Sequence, residues 1–242
     1  MPFMIFDPTM ILLVPALLLA LWAQYKVKSN YERFSQVGTR SGLTGGDVAR
    51  LILRDAGIES NRHGGFGGSH GCGIETVPGH LTDHYDPRTR MLRLSEEVCY
   101  GRSVAALGIA AHEVGHAIQH ARLYAPLALR NVVYPVCSLG STLAFPLFFI
   151  GLFIPAALGQ TLMQSAILLF TLSVFFTVLT LPVEFDASRR ALLALANGGY
   201  LEADELGGAR KVLGAAAMTY VAAAAMAIMQ LVRMVLLAQS RD

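Results

Sequence analysis

Charge is scarce in this chain. Only 15% of its 242 residues are Asp, Glu, Lys or Arg, against roughly a quarter in soluble domains, and the mean hydropathy is +0.49. That poverty excludes an intrinsically disordered chain. The net charge of +2, from scattered basic residues, excludes a nucleic-acid-binding surface. Cysteine is equally sparse. Cys72, Cys99 and Cys137 are odd in number and lack C-x-x-C spacing, which excludes a disulfide-stapled secreted module. No internal repeat is present.

The missing charge is missing in blocks. None occurs between Asp7 and Lys26, between Arg130 and Glu184, or between Lys211 and Arg233. About 20 apolar residues cross the roughly 30 Å of bilayer hydrocarbon. The first and third gaps each fit one span, and the middle gap fits two, broken at Pro155, Gly159, Gln160 and Thr161. The expected spans are 4–24, 132–154, 162–182 and 213–237, with Arg233 snorkelling to the interface near the end of the last. The first span has no Lys or Arg before it and is long for a signal peptide, so it reads as a retained anchor with Trp22 and Tyr25 at its interface. Segments 25–131 and 183–212 carry 17 of the 19 Lys and Arg residues. By the positive-inside rule both face the cytoplasm, and both termini face out.

Within 25–131, Ser41–Gly57 reads as a helix with a Thr44/Asp47 capping pair. Residues 63–73 form a glycine-rich loop, in which His63, His70 and Cys72 are a second, weaker metal-site candidate. Residues 83–94 read as a hairpin turning at Asp86-Pro87, with Met91–Leu94 as a strand. Ser95 and Ser103 each open a helix, the second over 104–122. Segment 183–212 continues helically, turns at Asn197-Gly198-Gly199 and resumes near Leu201.

The 104–122 helix holds His112-Glu113-Val114-Gly115-His116. Histidines at i and i+4 share one helical face, so both imidazoles reach a single zinc at about 2.0–2.1 Å. Glu113 stands beside them, placed to take a proton from water rather than to bind metal. A catalytic zinc wants a third protein ligand. The metzincin extension is absent, and His120 lies a turn too far along. Glu184 is the best candidate. It is the first charge after 53 uncharged positions, and two crossings return it to the side of the motif. Asp186, about 200° around the same helix, is the rival, and only one of the two is expected to face the motif. His84, Tyr85, His120, Tyr200 and Arg189 are candidates for stabilising the oxyanion. The Met91–Leu94 strand reads as an edge able to align an extended substrate.

Three stretches carry a resemblance: L-T-D-H-Y-D-P-R-T-R-M-L-R-L-S, G-R-S-V-A-A-L-G-I-A-A-H-E-V-G-H-A-I-Q-H-A and L-P-V-E-F-D-A-S-R-R-A. They resemble the YugP-type family of bacterial membrane zinc metallopeptidases over nearly the whole chain. More loosely, the layout is similar to membrane peptidases of the HtpX and Ste24 type. The resemblance implies a gluzincin-type site with one zinc on His112, His116 and Glu184, Glu113 as base, and a plasma-membrane address with the site facing the cytoplasm. Where HtpX and Ste24 types place an aspartate four residues after the ligand glutamate, this chain has Ser188. The partner of the ligand histidines is therefore left among Ser188, Asp186 and a group from elsewhere.

The expected architecture is a mainly α membrane protein, with four transmembrane helices and a small α+β zincin-like cytoplasmic metalloprotease domain. Its expected activity is endopeptidase action at the membrane surface, on membrane proteins or peptides, in quality control. Partners beyond substrate and bilayer would be a second membrane subunit or another copy of the chain. The competing reading is a membrane scaffold whose zinc is structural or vestigial; Glu113 discriminates, since a structural site needs no base.

Overall fold

The computed structural model describes residues 7–58 and 71–240. A 3-10 turn, Pro8–Leu13, leads into α1 (Val14–Ser35), followed by α2 (Gly45–Asp55), β1 (Gly73–Val77), β2 (His84–Asp86), β3 (Met91–Ser95), α3 (Glu96–Cys99), α4 (Val104–Ala121), α5 (Ala125–Phe153), α6 (Ala156–Asn197) and α7 (Ala203–Gln239). The four long helices are each long and apolar enough to cross a membrane. The protein is a mainly α membrane protein with a small mixed sheet. Residues 4–6 of the first expected span lie outside the described residues. Elsewhere the helices outrun the expected spans, α6 by fifteen residues past 182. Hydropathy marks where a helix stops being apolar, not where it stops.

The chain divides into two compact units. One draws on Met1–Gln24, Leu129–Pro182 and Met218–Asp242. Its core is Ala144, Phe148, Met163, Ala166, Phe170, Val174 and Met234. Small residues let α5 and α6 close on each other: a Cβ on Gly151 would lie 2.7 Å from the Gly159 carbonyl oxygen. This is the packing expected where lipid removes the hydrophobic drive between helices. Outward, Val132, Val136, Leu139, Phe149 and Phe153 are exposed, as a lipid-facing surface requires. The break expected at Pro155 is the α5–α6 junction. Arg233 does not merely snorkel: its Nη2 lies 3.0 Å from Asp7 Oδ2, so the two charges neutralise each other.

The other unit comprises Tyr25–Ala128 and Val183–Ala217. Thr44 and Asp47 form the expected capping box, in which the Thr44 hydroxyl accepts from the Asp47 amide and the Asp47 carboxylate accepts from the Thr44 amide. The helix then buries Val48, Ile52 and Leu53, each worth about 1.5–3 kcal/mol. Ser95 and Ser103 cap α3 and α4, as their sequence positions predict. The chain reverses after Asn197 through Gly199, whose φ of +63° suits glycine.

The sheet runs β1-β3-β2. β2 and β3 make the expected antiparallel hairpin, but β1 pairs parallel to β3. This corrects the reading of Met91–Leu94 as an edge: it is the central strand, and β2 is the edge that reaches α4. β1 was hidden because its first residue ends the glycine-rich stretch.

Asp86 fastens the hairpin turn. Its carboxylate accepts from the Arg88 amide at 2.9 Å, the Thr89 hydroxyl at 2.8 Å and Arg93 Nη1 at 2.9 Å. Partial burial pushes this carboxyl up, but these donors outweigh it and hold it down at about 2. A carboxyl depressed on folding adds stability above its unfolded pKa and loses it as pH falls through the folded one. Asp86→Asn should therefore lower the thermal midpoint at pH 7, and the gap to the parent should narrow between about pH 4 and about 2. Thermal melts of both proteins across that range provide the check; a gap independent of pH would contradict the assignment.

Candidate metal centre

α4 and α6 can meet closely because of Gly115. A Cβ there would stand 2.6 Å from the Ala187 carbonyl oxygen. Contact at that depth lets Glu184, on α6, face His112 and His116 on α4. Glu184 Oε2 is 3.4 Å from His112 Nε2 and 3.6 Å from His116 Nε2. The two imidazoles cross nearly edge to face, at 86°. Among the described residues, this trio is the group of His, Cys, Asp or Glu side chains able to hold a metal ion, its ligand atoms all within 4.8 Å of one another.

The donor set fits zinc. Three donors on a tetrahedral ion at about 2.0–2.1 Å stand roughly 3.3 Å apart, close to the two Glu184 separations of 3.4 and 3.6 Å. Two imidazoles and a carboxylate are also donors that zinc accepts. Glu184 is only 3% exposed, and an ionised carboxylate at that burial calls for a cation beside it. Arg189 and Arg190 pair with Asp186.

The far nitrogen of each imidazole is also held. His112 Nδ1 lies 3.1 Å from Ser188 Oγ, and His116 Nδ1 lies 3.1 Å from Gln119 Oε1. Gln119 in turn donates to Asp186 Oδ2 and to the Val183 carbonyl. Of Glu184 and Asp186, Glu184 is the one that faces the motif histidines; Asp186 meets the same helix at Gln119, one turn beyond them. Sequence reasoning missed Gln119 as a functional residue; its signal was a polar side chain three positions after His116 on an otherwise apolar helical face.

Glu113 is fixed from the edge strand. Its Oε2 accepts the Tyr85 backbone N–H at 3.0 Å. Burial pushes the Glu113 carboxyl above the usual carboxylate range, against the pull of His112 and His116. The Tyr85 hydroxyl lies 2.8 Å from His120 Nδ1, so these two candidates meet each other. The others lie elsewhere: exposed His84 bonds the Thr82 carbonyl, Arg189 bonds Asp186, and the Tyr200 hydroxyl donates to Asp55. Of the second metal-site candidate, His63 and His70 lie outside the described residues. Cys72 belongs to the apolar core, where burial pushes its thiol up to about 11.

The chain matches the family described as "Putative neutral zinc metallopeptidase" over residues 9–239. It is 45% identical over 226 residues to the "Putative membrane protease YugP" of Bacillus subtilis (strain 168), covering 93% of this chain and 94% of that protein. No solved structure matches. The chain therefore belongs to the neutral zinc metallopeptidase family that this description names.

Proposed function

We propose that the protein is a zinc-dependent endopeptidase that cleaves peptide bonds at the cytoplasmic surface of a bacterial plasma membrane. His112, His116 and Glu184 would hold one zinc per chain, in a gluzincin-like set. The observation that carries this reading is the convergence of the three ligand atoms beside a carboxylate, Glu113, that is not one of them. Zinc bound there supplies Lewis-acid polarisation of a carbonyl and acidifies water. Glu113 takes the proton of the attacking water and returns it to the leaving amine. The Tyr85 N–H, bonded to Oε2, holds that carboxylate in place and leaves Oε1 for the proton.

The cytoplasmic placement rests on the 17 Lys and Arg residues of segments 25–131 and 183–212. Glu184 comes two residues after an apolar run, and α4 ends four residues before α5 begins. That proximity in the chain supports membrane proteins as substrates, in quality control. Glu184→Ala should purify without zinc, while the parent binds one equivalent and cleaves an unfolded test protein in a zinc-dependent manner. Zinc in the Glu184→Ala protein at parental stoichiometry would remove Glu184 from the site.

A further inference from the structure

Gln119 is completely buried, and its amide has three neighbours, two of which can only accept. Nε2 is 2.8 Å from the Val183 carbonyl oxygen and 2.9 Å from Asp186 Oδ2. A carbonyl can only accept. Asp186, paired with Arg189 and Arg190, is a carboxylate that also only accepts. An amide end facing two acceptors must be the NH2 end. Oε1 is therefore the atom 3.1 Å from His116 Nδ1, and an amide oxygen cannot donate. The proton of that contact belongs to His116 Nδ1. A neutral imidazole has a single N–H, so Nε2, the nitrogen facing Glu184, keeps its lone pair.

This arrangement opposes what Glu184 would otherwise impose. A carboxylate near His116 Nε2 attracts the ring proton to that nitrogen, giving the tautomer that cannot bind a metal through it. We propose that Gln119 is a tautomer lock: the Val183 carbonyl and Asp186 set its amide, and Gln119 keeps the His116 proton on Nδ1, so that Nε2 is ready for the metal before it arrives. It is a positioning residue, acting through His116. The device is one-sided. His112 faces Ser188, whose hydroxyl both donates and accepts and so dictates no tautomer. The consequence for zinc rests on the proposed metal reading; the tautomer itself does not.

The test uses full-length protein in detergent, stripped of metal, at a pH where the imidazoles are neutral. Nitrogen-15 spectra of labelled histidines are assigned with His116→Asn. The parent should show His116 protonated at Nδ1. Gln119→Met, similar in size but unable to accept, should move the proton to Nε2 and weaken zinc retention against a chelator by about 10–100-fold. Ser188→Ala should leave the His116 tautomer untouched. Asp186→Asn leaves the Val183 carbonyl, which still selects the NH2 end of the amide, so it should keep the His116 proton on Nδ1; the parent spectrum decides the matter if Gln119→Met does not fold. A parent protein in which His116 carries its proton on Nε2, or a folded Gln119→Met in which the proton stays on Nδ1, would overturn the lock. A parent protein that shows the Nδ1 proton yet takes up no zinc would instead overturn the metal reading and leave the lock standing.

Discussion

Glu113→Gln should bind zinc like the parent and lose cleavage by about 10²–10⁴-fold, the usual contribution of a positioned general base. The two halves of the expectation have separate causes. Zinc should be retained because the proposed ligands are His112, His116 and Glu184, and Glu113 is not among them. Glutamine is nearly isosteric, and its amide oxygen can still accept the Tyr85 N–H that now bonds the carboxylate. The side chain thus keeps its place on α4. Cleavage is lost because an amide cannot take a proton from water or carry one to the leaving amine. Zinc content by atomic absorption, alongside turnover of a quenched peptide, reads both halves. Parental turnover would remove Glu113 as base and return the scaffold reading. Loss of zinc together with turnover would mean that Glu113 supports the metal directly.

How much of this site was legible beforehand depended on the distance over which each residue acts. His112, Glu113 and His116 lie on one turn of one helix, so spacing alone placed them together. Glu184 was legible for a different reason: its charge ended a long apolar run, and crossing parity returned it to the correct side. The capping residues Thr44, Ser95 and Ser103 were readable because a cap is a local hydrogen bond. Gln119 was not, and Asp186 was readable only as one of several possible partners of the histidines, because their contact joins residues 67 positions apart. Helical angle placed Asp186 on the face opposite Glu184, yet a long glutamine on the neighbouring helix reaches it. The edge strand was misassigned for a similar reason. The hairpin is local and announced by Asp86-Pro87, whereas the parallel partner β1 joins from across a glycine-rich stretch and turns β3 into a central strand.

Gly115 shows the same division between local and long-range information. Inside H-E-x-x-H its presence costs the helix about 1 kcal/mol relative to alanine, and nothing local repays that. The reason is Ala187, on α6, whose carbonyl oxygen would stand 2.6 Å from a Cβ at position 115. Gly115→Ala should therefore push α4 and α6 apart by a few tenths of an ångström, against an overpacking cost of about 1–3 kcal/mol. Metal ligands tolerate displacements of only about 0.2 Å, and this contact lies between the elements that carry the histidines and Glu184. Zinc affinity should fall at least about 10-fold, activity with it, and the thermal midpoint should drop. Gly207→Ala is the control. It is also helical, a Cβ there meets nothing within 4 Å, and it should raise stability by up to about 1 kcal/mol with zinc affinity unchanged. If Gly115→Ala behaved like that control, α6 would not need its close approach to α4, and the position of Glu184 would have to be set by something other than the backbone contact at Ala187.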